Sequence, residues 1–393
     1  MKKIVLFLII VMFFIADASY AIPAFARKYN MSCQTCHAPI PRLKAYGDEF
    51  AGNGFVLNDQ DAPRYFTDTG DDELSLIRDF PLAVRMDAHV TYRDDDPAQG
   101  DFGTPYLVKL LSGGALSDNI AYYFYFYMNE RGGVAGVEDA YLMYNNLFGT
   151  ELDIYLGQFQ VSDPLFKREL RLTLEDYLLY KQRIGIANAN LAYDRGIMLT
   201  YGFDTGTDVI VEIINGNGLR EADGDHRFDN NQFKNLVGRV SQDIGDNLRI
   251  GGFVYYGEEK LGNNFGLVAD DKITYFGPDI TLNFNDVFEI NAQYLNRTDS
   301  DLFYSTSSVN SVQDVKTESM MMEFIYMPDG DYSKWYAVAL ANWIDSDYDA
   351  ADYKSVSGHL GYMLRRNIRL VGEYRYDLLN EFGIASIGVV SAF

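Results

Sequence analysis

Cys33 and Cys36 are the only cysteines in the 393-residue chain; Gln34 and Thr35 separate them, and His37 follows directly. A close thiol pair has three common uses. In an oxidising compartment it can close into a small disulfide. A zinc site would need further thiolates or nearby histidines, and this segment has neither. The run Cys-Gln-Thr-Cys-His is instead the spacing at which both thiols add to the haem vinyl groups while the next residue reaches the iron. It predicts one covalently bound haem c, held by Cys33 and Cys36, with His37 as an iron ligand.

Covalent haem of this type is attached after export, and the N-terminus fits that route. Met1, Lys2 and Lys3 precede an apolar run from Ile4 to Ile15, and the small residues Ser19 and Ala21 follow at cleavage positions. Residues 1–21 thus have the plan of a signal peptide. The chain carries 56 acidic against 33 basic residues, a formal net charge of -23, which disfavours nucleic acid as a partner and suits metal cations or a basic redox protein. No run after Ile15 is long and apolar enough for a membrane helix.

Residues 22–79 are broken up by Pro23, Pro39, Pro41, Gly47, Gly52 and Gly54, with a short helix expected near 41–50. Fewer than 60 residues make a thin domain that needs something larger to lean on. From Phe80 a period of two sets in: Leu82, Val84, Met86, Ala88, Val90 and Tyr92 alternate with Ala83, Arg85, Asp87, His89, Thr91 and Arg93. Similar patterns predict sixteen strands near 80–93, 104–113, 119–130, 136–145, 151–160, 190–205, 208–217, 234–244, 248–259, 271–284, 288–300, 315–327, 334–345, 354–364, 367–378 and 383–393. Gaps after even strands are short. Those after odd strands, including 161–189, are mostly longer and more polar, as in barrels with short periplasmic turns and long external loops. The expected fold is all-β: a closed transmembrane antiparallel barrel over 80–393 in the outer membrane, in contact with its lipid, with residues 22–79 as a small c-type haem plug.

Ile22-Pro-Ala-Phe-Ala-Arg-Lys-Tyr-Asn-Met-Ser-Cys-Gln-Thr-Cys-His37, with Pro41-Arg-Leu-Lys-Ala-Tyr-Gly-Asp-Glu-Phe50 and Asn53-Gly-Phe55, resembles the N-terminal segment of fused monohaem cytochrome-porins. These are outer-membrane proteins with which iron-oxidising bacteria take electrons from ferrous iron. Gly157-Gln-Phe-Gln-Val161 is also similar to a segment of phosphate-selective porins. The first resemblance implies thioether roles for Cys33 and Cys36, a proximal-ligand role for His37, and a haem-bearing plug inside a barrel. The expected function is electron transfer across the outer membrane between an extracellular donor or acceptor, ferrous iron among the donors, and a periplasmic cytochrome. The alternative is a porin for small ions or solutes with a haem-bearing plug or gate. Arg85, Arg93, Arg365, Arg369 and Arg375 on lumen faces would favour anions there, opposed by Asp87, Glu373 and Asp377.

An electron carrier needs a second axial ligand. His89 is the expected one, because alternation from Phe80 places it inward on a rigid strand and the intervening chain can fold back at small entropic cost. Pairing of His89 with a lumen carboxylate such as Asp87 is the competing use. His359, then Met31, Met86 and Met363, are the substitutes; His226 lies in a polar loop. Acidic runs at Asp94, Asp95 and Asp96, and at Asp345, Asp347, Asp349 and Asp352, could concentrate divalent cations or be a solvated rim.

Overall fold

The structure, a computed structural model, describes residues 24–29, 31–57, 67, 70, 71, 73, 74, 76–78, 80–95, 97, 99–128, 134–161, 166–307 and 312–393. The expected signal peptide at 1–21 lies outside them. The N-terminal segment holds helices α1 (Ala24–Tyr29) and α2 (Ala45–Gly52). Sixteen strands follow: β1 (Leu82–Arg93), β2 (Gly100–Ala115), β3 (Ile120–Met128), β4 (Val134–Tyr144), β5 (Leu152–Phe159), β6 (Asp194–Phe203), β7 (Thr207–Ile214) and β8 (Asn235–Ile244). The second half comprises β9 (Leu248–Gly262), β10 (Val268–Phe284), β11 (Phe288–Leu302), β12 (Gln313–Tyr326), β13 (Trp335–Ser346), β14 (Tyr353–Arg365), β15 (Ile368–Asp377) and β16 (Phe382–Ala392).

Each strand pairs antiparallel with its neighbours in sequence, and β1 pairs with β16 to close the barrel. At the seam the Val84 N–H donates to the Phe393 carbonyl at 2.7 Å, and the Phe393 N–H donates to the Val84 carbonyl at 2.8 Å. Closure is what a bilayer demands, since an open edge would leave donors and acceptors unpaired in hydrocarbon.

The two-residue period is realised as outside and inside. On β12, Met320, Met322 and Phe324 are exposed on the outer wall, while Ser319, Met321 and Glu323 between them are buried. On β1, Leu82, Met86, Val90 and Tyr92 face out, and Asp87 and His89 are buried. Phe288 stacks on Tyr326 and Trp335 meets Tyr326 edge-on along the outer wall at its short-turn end, with ring centroids 4.9 and 5.6 Å apart, the position of an interfacial aromatic girdle.

Several boundaries differ from the expected ones; β2, for instance, starts at Gly100 rather than near 104. Helix α2 begins at Ala45 rather than near Pro41, because residues 36–44 are used in a tight antiparallel turn. His37 bridges Leu43, and the Lys44 N–H donates to the Cys36 carbonyl at 2.9 Å. β6 starts at Asp194 rather than near 190; Asn190 Oδ1 accepts the Ala192 N–H at 2.7 Å, a local turn that competes with the ladder. The segment after β5 is not an external polar loop: its described residues, 166–193, include many that are buried inside the barrel.

Candidate cofactor site and the filled lumen

The N-terminal segment is held at the short-turn rim. Phe25, Phe50 and Phe55 form an aromatic knot, with Phe25 stacked on Phe55 at 4.9 Å, and Phe55 stacks on Tyr123 of β3 at 5.4 Å. Polar ties complete the attachment. Arg27 donates to the Leu82 carbonyl at 2.7 Å, Arg42 pairs with Glu289 at the start of β11, and Lys44 pairs with Asp331 in the β12–β13 turn at 2.6 Å. Gln34 Nε2 also donates to the Asp331 carbonyl, at 3.3 Å.

Cys33 opens a single 3₁₀ turn, and the His37 N–H donates back to its carbonyl at 2.9 Å. Both thiols are free and part-buried, and burial pushes both upward from their ordinary pKa. Gly47 allows α2 to lie against this turn, since a Cβ there would stand 2.4 Å from the Cys36 carbonyl oxygen. The His37 Nδ1 is 2.9 Å from the Pro41 carbonyl. A carbonyl only accepts, so Nδ1 carries the proton and Nε2 keeps its lone pair. Burial pushes the His37 pKa down, with the Pro41 and Arg42 backbone contacts opposing, which favours the neutral ring that metals bind.

Cys33 and His37 line a cavity of about 10 Å³ together with Gln34, Ala38, Pro39, Ile40, Asp331, Ser333, Met363 and Arg366. The donor chemistry fits a c-type haem: two unpaired thiols two residues apart, and an imidazole oriented through its other nitrogen by a backbone carbonyl. The space is smaller than the group, so the side chains on the barrel side of the cavity have to swing aside to admit it.

The segment after β5 folds into the lumen behind this site. Arg168 forms a two-pronged pair with Asp176, at 3.1 and 2.6 Å, and Arg171 and Lys181 approach the same carboxylate. Burial would raise the Asp176 pKa, but these cations hold it well below the carboxylate range. Glu169, beside Lys109 of β2, is likewise held at about 2: burial would raise it, and Lys109 and Arg171 lower it.

Wall carboxylates accept the loop's backbone. Glu373 takes the N–H groups of Leu174 and Glu175 at 2.6 and 2.8 Å, and Glu259 takes those of Asn188 and Ala189 at 2.8 and 2.9 Å. Arg297, bound to Asp299 and to the Tyr275 hydroxyl, donates to the Gln182 and Ala189 carbonyls at 3.1 and 3.2 Å. Tyr177 and Tyr180 pack into the apolar cluster of the wall with Phe253, Ile273, Leu295 and Met321.

The histidines expected inside are inside, but neither lines the cavity. His89 is buried on β1 with its ring 5.1 Å from that of Tyr106, and its Nε2 has no hydrogen-bond partner. His359 is engaged on both sides, Nδ1 with Glu373 at 2.9 Å and Nε2 with the Tyr336 hydroxyl at 3.4 Å. Met363 does line the cavity: it lies close to the end of β14, whereas His89 sits well inside β1. His226 lies in an exposed loop, as expected.

The lumen arginines are largely committed. Arg85 pairs with Asp87 at 2.9 and 2.7 Å, Arg375 with Glu175 at 3.0 Å, and Arg369 donates to the Tyr336 hydroxyl at 2.5 Å. Most of the described acidic rim residues are committed too: Asp94 to the Gly383 N–H, Asp95 to Arg93, Asp345 to Lys354, Asp347 to the Lys316 N–H and Asp352 to the Ser346 N–H; Asp96 lies outside the described residues. Among the described residues, no three His, Cys, Asp or Glu side chains come together as a cation site. Glu259, Arg297 and Tyr336 were not anticipated from sequence. Their signal is a charged or hydroxylated residue at an inward strand position.

Solved barrels share this architecture. A loop-deletion mutant of OmpT, an outer membrane protein of Vibrio cholerae, superposes with a TM-score of 0.57 at 14% identity, covering 80% of this chain and 99% of that one. The fold is that of an outer-membrane porin barrel. An anion-selective porin from Comamonas acidovorans gives 0.55 at 15% identity, over 80% and 99% of the two chains. OmpF of Salmonella typhi, solved as a complex with daunomycin, gives 0.56 at 10% identity, over 80% and 97%. At such identities the likeness concerns the fold alone; a closed sixteen-stranded barrel with an apolar outer wall is an outer-membrane architecture, in contact with lipid. No protein-family model matches the chain, and no curated protein matches it.

Proposed function

We propose that this barrel carries electrons across the outer membrane through one haem c attached at Cys33 and Cys36, between an extracellular donor or acceptor, ferrous iron among the donors, and a periplasmic cytochrome. The observation that carries the reading is the contact between His37 Nδ1 and the Pro41 carbonyl, which leaves Nε2 available beside two unpaired thiols. When bound, the haem supplies reversible one-electron exchange.

The chain's own residues do the rest. Cys33 and Cys36 tether by adding their S–H groups across the two vinyl double bonds, Pro41 orients His37, and Arg42, Lys44 and Gln34 hold the turn to the wall. The β5–β6 loop sets paired charges inside the lumen and narrows it. Attachment at the short-turn rim puts the turn within direct reach of a periplasmic carrier. An external donor must approach through the loop end of a roughly 25 Å apolar band.

A second reading, a solute porin with the N-terminal segment as plug or gate, is supported by the likeness to porin barrels. The full chain in liposomes, with ferrous iron outside and oxidised cytochrome c trapped inside, tests the two. Reduction of the trapped cytochrome without matching ion leakage is expected. Appreciable ion conductance with no redox exchange would establish the porin in its place.

A further inference from the structure

We infer that Met363 supplies the second axial ligand to the haem iron, its thioether sulfur opposing His37; this rests on the electron-transfer reading above. Met363 stands two positions before the last residue of β14 and faces inward, between the outward-facing Tyr362 and Leu364. Its register partner on β15 is Arg369, another lumen residue. Its side chain forms one wall of the cavity that Cys33 and His37 form from the other side. The two sides are kept in register by the ties of Gln34 and Lys44 to Asp331, a lining residue of the same cavity.

The chemistry of the side chain suits the position. A methionine has three rotatable bonds and an adaptable sulfur, so it can retreat to admit a macrocycle and then return to its face. Behind it Leu172, Ile325, Met327, Tyr336 and Val338 form an apolar wall, which keeps water from competing for the iron. The thioether needs no deprotonation to bind.

The other candidates are committed or misplaced. His359 uses both ring nitrogens, on Glu373 and Tyr336. Met86 is exposed on the lipid face. Met31 precedes Cys33 by two residues, too close in sequence to pass round the ring edge. Met327 is fully buried behind Met363. His89 remains the strongest competitor through its unpartnered Nε2, but it lies on β1 and is not among the cavity's lining residues.

The test uses the full chain, exported and haem-loaded, with Met363→Leu, Met363→His and His89→Ala compared by absorption spectroscopy, electron paramagnetic resonance and potentiometry. Heat-modifiable gel mobility checks that each barrel is folded. The unaltered protein is expected to be low-spin in the ferric state, with the long-wavelength sulfur-to-iron absorption band. Met363→Leu keeps the side-chain volume but should lose that band and turn high-spin. Met363→His should be low-spin without the band and at a lower potential, because a methionine ligand raises it. His89→Ala should match the parent. An unchanged low-spin spectrum in Met363→Leu overturns the assignment, and conversion of the iron by His89→Ala transfers it to His89. Absence of covalent haem from the unaltered protein defeats the electron-transfer reading itself, a result separable from either.

Discussion

His37 Nδ1 and the Pro41 carbonyl oxygen lie 2.9 Å apart, across the turn in which His37 also bridges Leu43. The contact fixes which imidazole nitrogen is protonated and aims the other away from the turn backbone. A residue four positions on thereby decides what His37 can bind.

Replacing both thiols should abolish haem retention. In Cys33→Ala/Cys36→Ala the exported chain is expected to show no haem after denaturation and acid–acetone extraction, whereas the parent keeps it. Either single variant should keep one thioether and give a shifted pyridine haemochrome band. Haem retained by the double variant would show that the attachment is not covalent through these residues.

Asp176→Asn should loosen the lumen. Arg168 has a side chain only 6% exposed, and the substitution leaves it without its carboxylate. Stranding one partner of a buried pair costs about 3–5 kcal/mol. The expected signs are raised single-channel conductance in planar bilayers and new protease cleavage within 166–193. Conductance and cleavage pattern identical to the parent would mean the loop is held by other contacts.

Acid should release the 168–176 part of the loop only at the extreme. The folded-state value of Glu169 lies near 2, below its ordinary 4.5, and that of Asp176 is also depressed. A depressed carboxylate contributes stability in full above its unfolded pKa and loses it as pH falls through the folded value. Pepsin should therefore leave 168–176 intact near pH 4, the ordinary carboxylate range, and cut it as pH approaches 2. Cleavage already complete near pH 4 would contradict the pairing.

Val84→Pro should impair closure. It removes the N–H that donates to the Phe393 carbonyl, taking one ladder bond out of the seam. Refolding into detergent micelles should yield less heat-modifiable barrel than Val84→Thr, which retains the donor. Equal yields would show that the seam bond is dispensable.

The wall was legible because alternation is local: Met86, Val90 and Tyr92 declare one face within a few residues of each other, and each of the sixteen expected strands has its counterpart. The lumen was not, because its filling depends on partners far apart in sequence, such as Leu174 with Glu373 or Ala189 with Glu259. A local cue did exist. Leu170, Leu172, Leu174, Leu178, Leu179 and Ile184 are too apolar a set for a loop in water, and read as such they place it inside. The candidate donors Cys33, Cys36 and His37 were legible because they are contiguous. The presence of Met363 in the wall of their cavity was not, since alternation says which way His89, His359 and Met363 face but not which of them stands at the rim.

The seam between Val84 and Phe393 also bears on the order of construction. It joins β1 to β16, whereas every other ladder joins strands adjacent in the chain, so the seam carries the largest loop-closure cost. The tethered turn and the folded-in loop can be in place while that one edge is still open, with no passage through a finished cylinder. A barrel completed in this sequence encloses its contents as a ship's hull encloses an engine lowered in before the deck is laid.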